Sequence, residues 1–346
     1  MIVKIHGNQE ASSIIEKCQE QLKPRYATFS KAKTVPWLDS CSVDIEEIYT
    51  PLHWVRDERK PSGVTQEELG DYTDMFIGNR YHPKPTRMLV YGRPGIGKST
   101  FCKRAACDWS KSLQEILMNF YILLLIKLRD VCDMENIRDV LRASKLLAGD
   151  GLVSVDSFYH YIINNQDKVL PILDVYDEYS CAKEHSHILE ICKGELLRDS
   201  HVIVTTRQIK CDELRSLSHV LFEIHGFKSW KQIKTFARKF LTSEQDVSEF
   251  KTYLQEKALK GMAEIPLLLL ILCLVWIERR HEEMPTSRAD IYTSFIQTML
   301  NHRIKRDAKS EPFKKLTSEE IRKDVSNTGK LAFDALLQGS LFMRLS

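Results

Sequence analysis

Hydrophobic positions along this chain fall into two regimes. Between residues 88 and 224, short and nearly continuous apolar runs recur: MLVY (88–91), FYILLLIKL (120–128), VLPILD (169–174), HVIVTT (201–206) and HVLFEI (219–224). Each is separated from the next by a spacer of helical composition. Unbroken apolar strands with helices between them predict a parallel sheet covered on both faces, because strands buried on one face only would alternate apolar and polar residues.

Beyond residue 228 that pattern gives way to helical periodicity through WKQIKTFARKFL, VSEFKTYLQEKALKGM and PLLLLILCLVWI. A last segment opens near Pro285, where Ser287 and Asp290 fit a capping box before IYTSFIQTML. A second box, Thr317 to Glu320, precedes IRKDVSNTGKLAFDALL.

Ahead of the sheet the pattern is weaker. Ile14, Cys18 and Leu22 recur every four residues and predict an amphipathic linker helix that Pro24 stops. The stretch from there to about residue 86, with its KPSG turn, a capping-box match at Thr65 to Glu68 and the segment HPKPTR, reads as a preamble of short elements. The expected organisation is a preamble over 1–47, an α/β domain over 48–227, a helical domain over 228–284 and a further unit over 285–346. A length of 346 residues suits two or three domains.

Composition changes this picture little. Fifty basic residues against 47 acidic ones leave a net charge of +3, too balanced to point to nucleic acid as a partner. The basic stretch NHRIKRDAKSEPFKK (301–315) carries interspersed acids and reads as a solvated loop. Nine cysteines, odd in number and never spaced CxxC, suit reduced thiols, so a cytoplasmic location is expected. The longest apolar run, Ile265 to Ile277, has 13 residues against the ~20 of a membrane span, and is expected to be a buried helix. Cys181, His185, His187 and Cys192 fit no common zinc spacing and read as ordinary helix residues.

The chemistry sits in YGRPGIGKST (91–100). Gly92, Gly97, Lys98 and Ser99 have the Walker A spacing GxxxxGK[ST]. With Gly at ~7% of an average chain, these fixed positions coincide by chance on the order of 1% of the time. Glycines bring backbone N–H groups close to phosphate oxygens, and the helix that follows adds the positive end of its dipole. The candidate cradle is Gly92, Arg93, Pro94, Gly95, Ile96, Gly97, Lys98, Ser99 and Thr100. Lys98 would neutralise the β- and γ-phosphates of ATP, and Ser99 would hold Mg²⁺.

The strand VLPILD ends in Asp174, followed by Asp177 and Glu178. Three acids at one strand end repel one another unless a cation joins them. Asp174 is the candidate metal carboxylate and Glu178 the candidate base acting on water, with Asp177 beside it; helix capping is the simpler alternative for Asp177 and Glu178. HVIVTT ends next to Arg207, which could reach a γ-phosphate and register its loss, or form a surface salt bridge.

Taken in order, GRPGIGKST, ILDVYDE, VIVTTRQ, FEIHGF, IPLLLLILCLVW and RADIYTSFIQTML resemble the NACHT domain of a NOD-like receptor, with an invertebrate member expected. The resemblance covers about residues 50–346. It implies a P-loop NTPase sheet domain that binds ATP or ADP, a helical domain whose proline packs near the adenine, and a winged-helix domain, here incomplete, that closes over the nucleotide. Pro266 matches that proline. The residue after the metal aspartate, small in the family, is Val175 here, and Ile265 precedes the proline where a small or polar residue is common.

The resemblance further implies an intracellular signalling switch of the innate-immune or cell-death kind. Exchange of ADP for ATP would control self-association and the engagement of adaptor or effector proteins, with slow Mg²⁺-dependent hydrolysis. A switch core, shorter than a whole receptor, is expected. Two other readings stay open: a scaffold that binds nucleotide without hydrolysing it, and a general P-loop ATPase or kinase valued for its product.

Overall fold

The computed structural model describes residues 2–31, 49–60, 63–78, 82–144, 146, 153–179, 186–279, 284–307 and 323. The chain divides into two compact units, one of residues 1–34 and 41–273, the other of residues 35–40 and 274–346.

The first unit is built on a seven-stranded sheet. Its strands are β1 (His53–Lys60), β2 (Gly63–Leu69), β3 (Arg87–Gly92), β4 (Ile122–Lys127), β5 (Val169–Asp174), β6 (Val202–Thr206) and β7 (Val220–Gly226), in the spatial order β2-β1-β7-β3-β6-β5-β4. The five strands from β7 to β4 are parallel, and every residue of β3, β5 and β6 is buried. This is the α/β fold expected from the apolar runs. The strand that leads into the phosphate loop, β3, lies beside β6 rather than β5, so β6 separates the loop's strand from the acidic strand end. Pro171 sits inside β5, where it lacks an amide proton, and pairing with β6 is confined to Ile172 and Leu173 just beyond it.

One element of the preamble differs from expectation. Residues 63–69 are a strand, not a helix start: β1 and β2 form an antiparallel hairpin that extends the sheet past β7, so Thr65 and Glu68 make no capping box. Charged residues on β1 are nonetheless buried. Arg56 donates to the carbonyl oxygens of Asp74 (2.6 Å) and Ile77 (3.1 Å), and Asp57 accepts from the Tyr91 hydroxyl at 2.8 Å. A buried charge is tolerated when its hydrogen bonds are met in this way.

The first helix, α1 (Ile2–Ala27), also departs from expectation, running through Pro24 to Ala27. It is bound to the sheet rather than acting as a linker. Cys18, Leu22 and Tyr26 are its buried stripe, and the Tyr26 hydroxyl accepts from Leu125 N and donates to Leu123 O, both at 3.1 Å. Those backbone groups belong to β4, which ends the sheet, so a side chain from α1 satisfies part of its open edge.

Parallel strands require crossovers, and the helices that supply them are α2 (Lys98–Ser110), α3 (Ile137–Ala143), α4 (Val155–Asn164), α5 (His187–Lys193) and α6 (Gln208–Arg215). After β7 come α7 (Trp230–Ala237), α8 (Glu244–Glu256), α9 (Lys260–Ala263) and α10 (Pro266–Arg279). Ser229 and Ser243 cap α7 and α8 by accepting from Gln232 N and Asp246 N. The apolar run at 265–277 is the body of α10, buried from Leu269 to Trp276, and no described helix is long and apolar enough to cross a membrane.

The second unit begins within α10 and contains α11 (Arg288–Asp307). Ser287 caps α11 through Asp290 N at 3.1 Å, and the Arg279 guanidinium donates to Ser294 Oγ and Gln297 Oε1. Residues 301–307, read as loop, are helical. The box at Thr317–Glu320 lies outside the described residues, as do Cys181 and His185; His187 instead accepts from Ile137 N at 3.1 Å through Nδ1.

Tyr26→Phe should leave the amide of Leu125 buried without a partner. We expect a loss of about 1–3 kcal/mol, read as a lowered midpoint of urea unfolding.

Candidate functional site

The C-terminal ends of the parallel strands converge on one cavity of about 400 Å³. In open α/β sheets this is where ligands bind, and the reason is local. After β3 the chain must turn sharply into α2, and Gly95 (φ +71°) and Gly97 (φ +112°) take left-handed conformations to do so. A Cβ on Gly97 would also stand 3.0 Å from Leu52 Cδ1. The loop therefore curls with residues 94–100 along the cavity wall, and α2 starts at Lys98 with its amino end directed there.

Lys98 donates from Nζ to the carbonyl oxygens of Gly92 (2.6 Å) and Arg93 (3.1 Å). Burial holds its ammonium below the usual lysine range, offset in part by the nearby Asp177.

Asp174, at the end of β5 and buried, gathers three donors on one oxygen. Its Oδ1 accepts from Thr205 Oγ1 at 2.7 Å, Ser99 Oγ at 3.1 Å and Cys102 Sγ at 3.6 Å. Burial and then the adjacent Asp174 carboxylate push the Cys102 thiol well up, so it stays protonated and can donate. The sequence-selected Ser99 and Asp174 are therefore adjacent, as a shared Mg²⁺ would need. Thr205 Oγ1 also accepts from Val175 N at 2.9 Å, which ties β5 to β6.

Immediately after Asp174 the backbone turns into the left-handed region at Val175 (φ +67°, ψ +58°). This conformation costs a β-branched residue energy, and it explains why a small residue would suit the position. The turn carries Asp177 and Glu178 onto a short 3₁₀ segment, Tyr176–Glu178, at the cavity edge.

There the acids meet arginines, so their mutual repulsion is relieved by protein cations. Arg207, at the tip of β6, places Nε 2.9 Å from Asp177 Oδ2 and donates from Nη2 to Glu178 Oε1 at 3.1 Å. Its backbone N–H also donates to Asp177 Oδ1 at 3.0 Å. Arg129, just past β4, lies 2.7 Å from Glu178 Oε2. The salt bridge weighed for Arg207 is present, and it lies at the cavity rather than away from it.

The opposite wall is apolar. Pro266 opens α10 and lines the cavity together with Leu267 and Leu270, while Phe227 enters from the end of β7 and Phe236 from α7. Two contacts fix this wall against the sheet. Phe227 N donates to Glu264 O at 2.8 Å, and Leu267 N donates to Gly95 O at 3.3 Å. Gly226 permits the first of these: its φ is +80°, and a Cβ there would lie 2.2 Å from Glu264 O.

All the sequence-selected residues thus converge, Asp174 at the base of the site beneath Ser99 and the others around the cavity or its phosphate loop. Sequence reading missed Arg129, Lys103, Tyr49, Thr50 and Leu52, which also line it. Tyr49, Thr50 and Leu52 come from the chain ahead of β1, where Lys239 Nζ donates to Tyr49 O at 2.9 Å and Gln232 Nε2 to Pro51 O at 3.1 Å. The aromatic and proline cluster YTPL (49–52) was the available signal. Among the described residues no cluster of three His, Cys, Asp or Glu has the form of a metal site.

A parallel sheet in this strand order, with GxxxxGKS joining β3 to α2 and an aspartate ending β5, defines a P-loop NTPase fold. The NACHT domain model matches residues 86–244, and the chain carries a NACHT domain of the NOD-like-receptor type. It is 26% identical over 252 residues to mouse baculoviral IAP repeat-containing protein 1a, covering 72% of this chain and 17% of that protein. It is 24% identical over 299 residues to NLR family CARD domain-containing protein 4 of Xenopus tropicalis, covering 85% of this chain and 28% of that protein. The chain thus spans well under a third of either relative. A solved structure of Thermotoga maritima RuvB aligns at 12% identity with a TM-score of 0.32, covering 62% of this chain and 61% of that chain, a likeness too loose to add to the argument.

Val175→Gly removes the left-handed strain at the cost of a more flexible unfolded chain. Strain of about 1–3 kcal/mol against a glycine penalty of about 0.5–1 kcal/mol leaves a net gain. We expect a raised melting temperature in differential scanning calorimetry.

Proposed function

We propose that this chain is a nucleotide-dependent signalling switch that binds ATP and ADP and serves intracellular self-association. The observation that carries the reading is one cavity in which a glycine-rich loop with Lys98, the acidic turn with Asp177 and Glu178, and Arg207 meet an apolar wall headed by Pro266, with Asp174 bonded to Ser99 at its base. One side is cationic and rich in backbone N–H groups, suited to phosphates. The other is apolar, suited to a purine base, and the volume of about 400 Å³ falls within the range of small-molecule sites.

Gly92 to Thr100 would hold the phosphates, Ser99 and Asp174 would hold Mg²⁺, and Pro266 would pack against the base. Bound Mg²⁺ would supply charge neutralisation for the phosphates. Asp177 orients Arg207, by accepting from both its backbone amide and its Nε, so the guanidinium stands at the cavity rim. A ligand shifts such an equilibrium only by its differential affinity for the two states, so a group that distinguishes ATP from ADP is required, and Arg207 takes that part. Glu178 would act on water in slow hydrolysis. The remainder of the reading, a cytoplasmic location and signalling adaptor or effector partners, follows from the likeness to NOD-like receptors.

A second reading, a scaffold that binds nucleotide without hydrolysing it, is favoured by one observation: both carboxylate oxygens of Glu178 are engaged by arginines. The two readings separate on Glu178→Gln. The switch reading expects prolonged ATP occupancy, and the scaffold expects none, measured as the ATP to ADP ratio retained after timed incubation with Mg²⁺-ATP.

A ligand that binds only the folded state adds RT ln(1 + [L]/Kd) to its stability. At about 100 Kd of nucleotide that is about 2.7 kcal/mol, enough to raise Tm by several degrees. We expect the parent protein to respond to ATP and ADP in thermal unfolding and Lys98→Ala to lose the response; an equal response in both rules out the phosphate site. Arg207→Ala should lower ATP affinity more than ADP affinity in isothermal titration, and an unchanged ratio ends its sensing role.

A further inference from the structure

Arg129 carries none of the motifs that mark the site, yet its placement is determined. The chain leaves β4 in a short 3₁₀ turn, Leu128–Val131, whose two end residues are fully buried. They anchor the turn from below, so Arg129 between them projects outward with 58% of its side chain exposed, along the cavity that Lys98 and Arg207 also line.

Its Nη2 lies 2.7 Å from Glu178 Oε2, while the other oxygen of Glu178 accepts from Arg207 Nη2 at 3.1 Å. Arg207 in turn holds Asp177 through Nε. The result is a row of four charged groups of alternating sign, Arg129, Glu178, Arg207 and Asp177, with zero formal charge. Three neighbouring strand ends supply it: β4, β5 and β6. A carboxylate held between two guanidiniums is a close chemical analogue of a phosphate in the same position, since both present paired anionic oxygens to planar N–H donors.

We propose that Arg129 and Arg207 together form the receptor for the terminal phosphate of a nucleoside triphosphate, with the Glu178 carboxylate as the anion that occupies it otherwise. A triphosphate draws the two arginines away from Glu178, whereas a diphosphate leaves them paired with it. The exchange that registers the third phosphate thereby also releases Glu178. This deepens the switch reading and rests on it. The partial exposure of the row keeps each pair weak enough to be exchanged, because exposed ion pairs are screened by water.

The test is a set of isothermal titrations with Mg²⁺-ADP and the non-hydrolysable analogue Mg²⁺-AMP-PNP on the parent, Arg129→Ala, Glu178→Gln and the double variant, each first stripped of co-purified nucleotide. Thermal unfolding without nucleotide confirms that each is folded. Arg129→Ala should weaken AMP-PNP binding about tenfold and ADP binding less than about twofold, the loss expected of a hydrogen bond between charged groups. Glu178→Gln frees the arginines and should tighten AMP-PNP, and that gain should shrink in the double variant.

A structural role for Arg129 would not produce this coupling. Equal losses for both nucleotides in Arg129→Ala, or an undiminished gain in the double variant, overturn the inference while leaving the switch reading intact. A parent protein that binds neither nucleotide overturns both.

Discussion

The carboxylate of Asp174 is the interaction on which the site depends. It is buried, and a buried carboxylate is stable only when its hydrogen bonds are met. Thr205 from β6, and Ser99 and Cys102 from the first two turns of α2, meet them on one oxygen. That oxygen therefore fixes the phosphate-loop helix and two strand ends to one another. Thr205 also accepts from Val175 N, at the start of the left-handed turn that brings Asp177 and Glu178 to the two arginines. One buried charge orders the cradle, the acid turn and the arginine row together.

The apolar wall is placed by a separate constraint. Gly226 lets the backbone end of β7 approach Glu264 O closely enough for Phe227 N to bond it. That contact sets the start of α10, and with it Pro266 and Leu267, across from the phosphate loop. The cationic and apolar halves of the cavity are thus held by independent anchors, and Leu267 N to Gly95 O is a direct stitch between them.

How much of this is legible in the sequence follows from the kind of signal each part carries. The five parallel strands are buried on both faces, so their apolar runs stand out, and VLPILD coincides with β5 to the residue. The phosphate loop and the acids at 174, 177 and 178 stand out because their chemistry needs fixed spacing. The β1–β2 hairpin does not: HWVRDERK reads as polar because Arg56 and Asp57 are buried as partnered charges rather than exposed. Pro24 misled in the same way, since α1 is held by tertiary contacts such as Tyr26 on β4, which override a local break. Arg129 could not be singled out because only the fold brings it to the cavity. Val175 was visible as an unusual residue, but its strained turn required the backbone.

The central claim is that this cavity holds an adenine nucleotide as part of the resting molecule. The most direct measurement is to purify the protein without added nucleotide, denature it with acid, and identify and quantify what is released by chromatography and mass spectrometry. The account predicts adenine nucleotide, chiefly ADP, in near-stoichiometric amount. Release of no nucleotide, together with no uptake when purified protein is supplied with Mg²⁺-ATP or ADP, would contradict it.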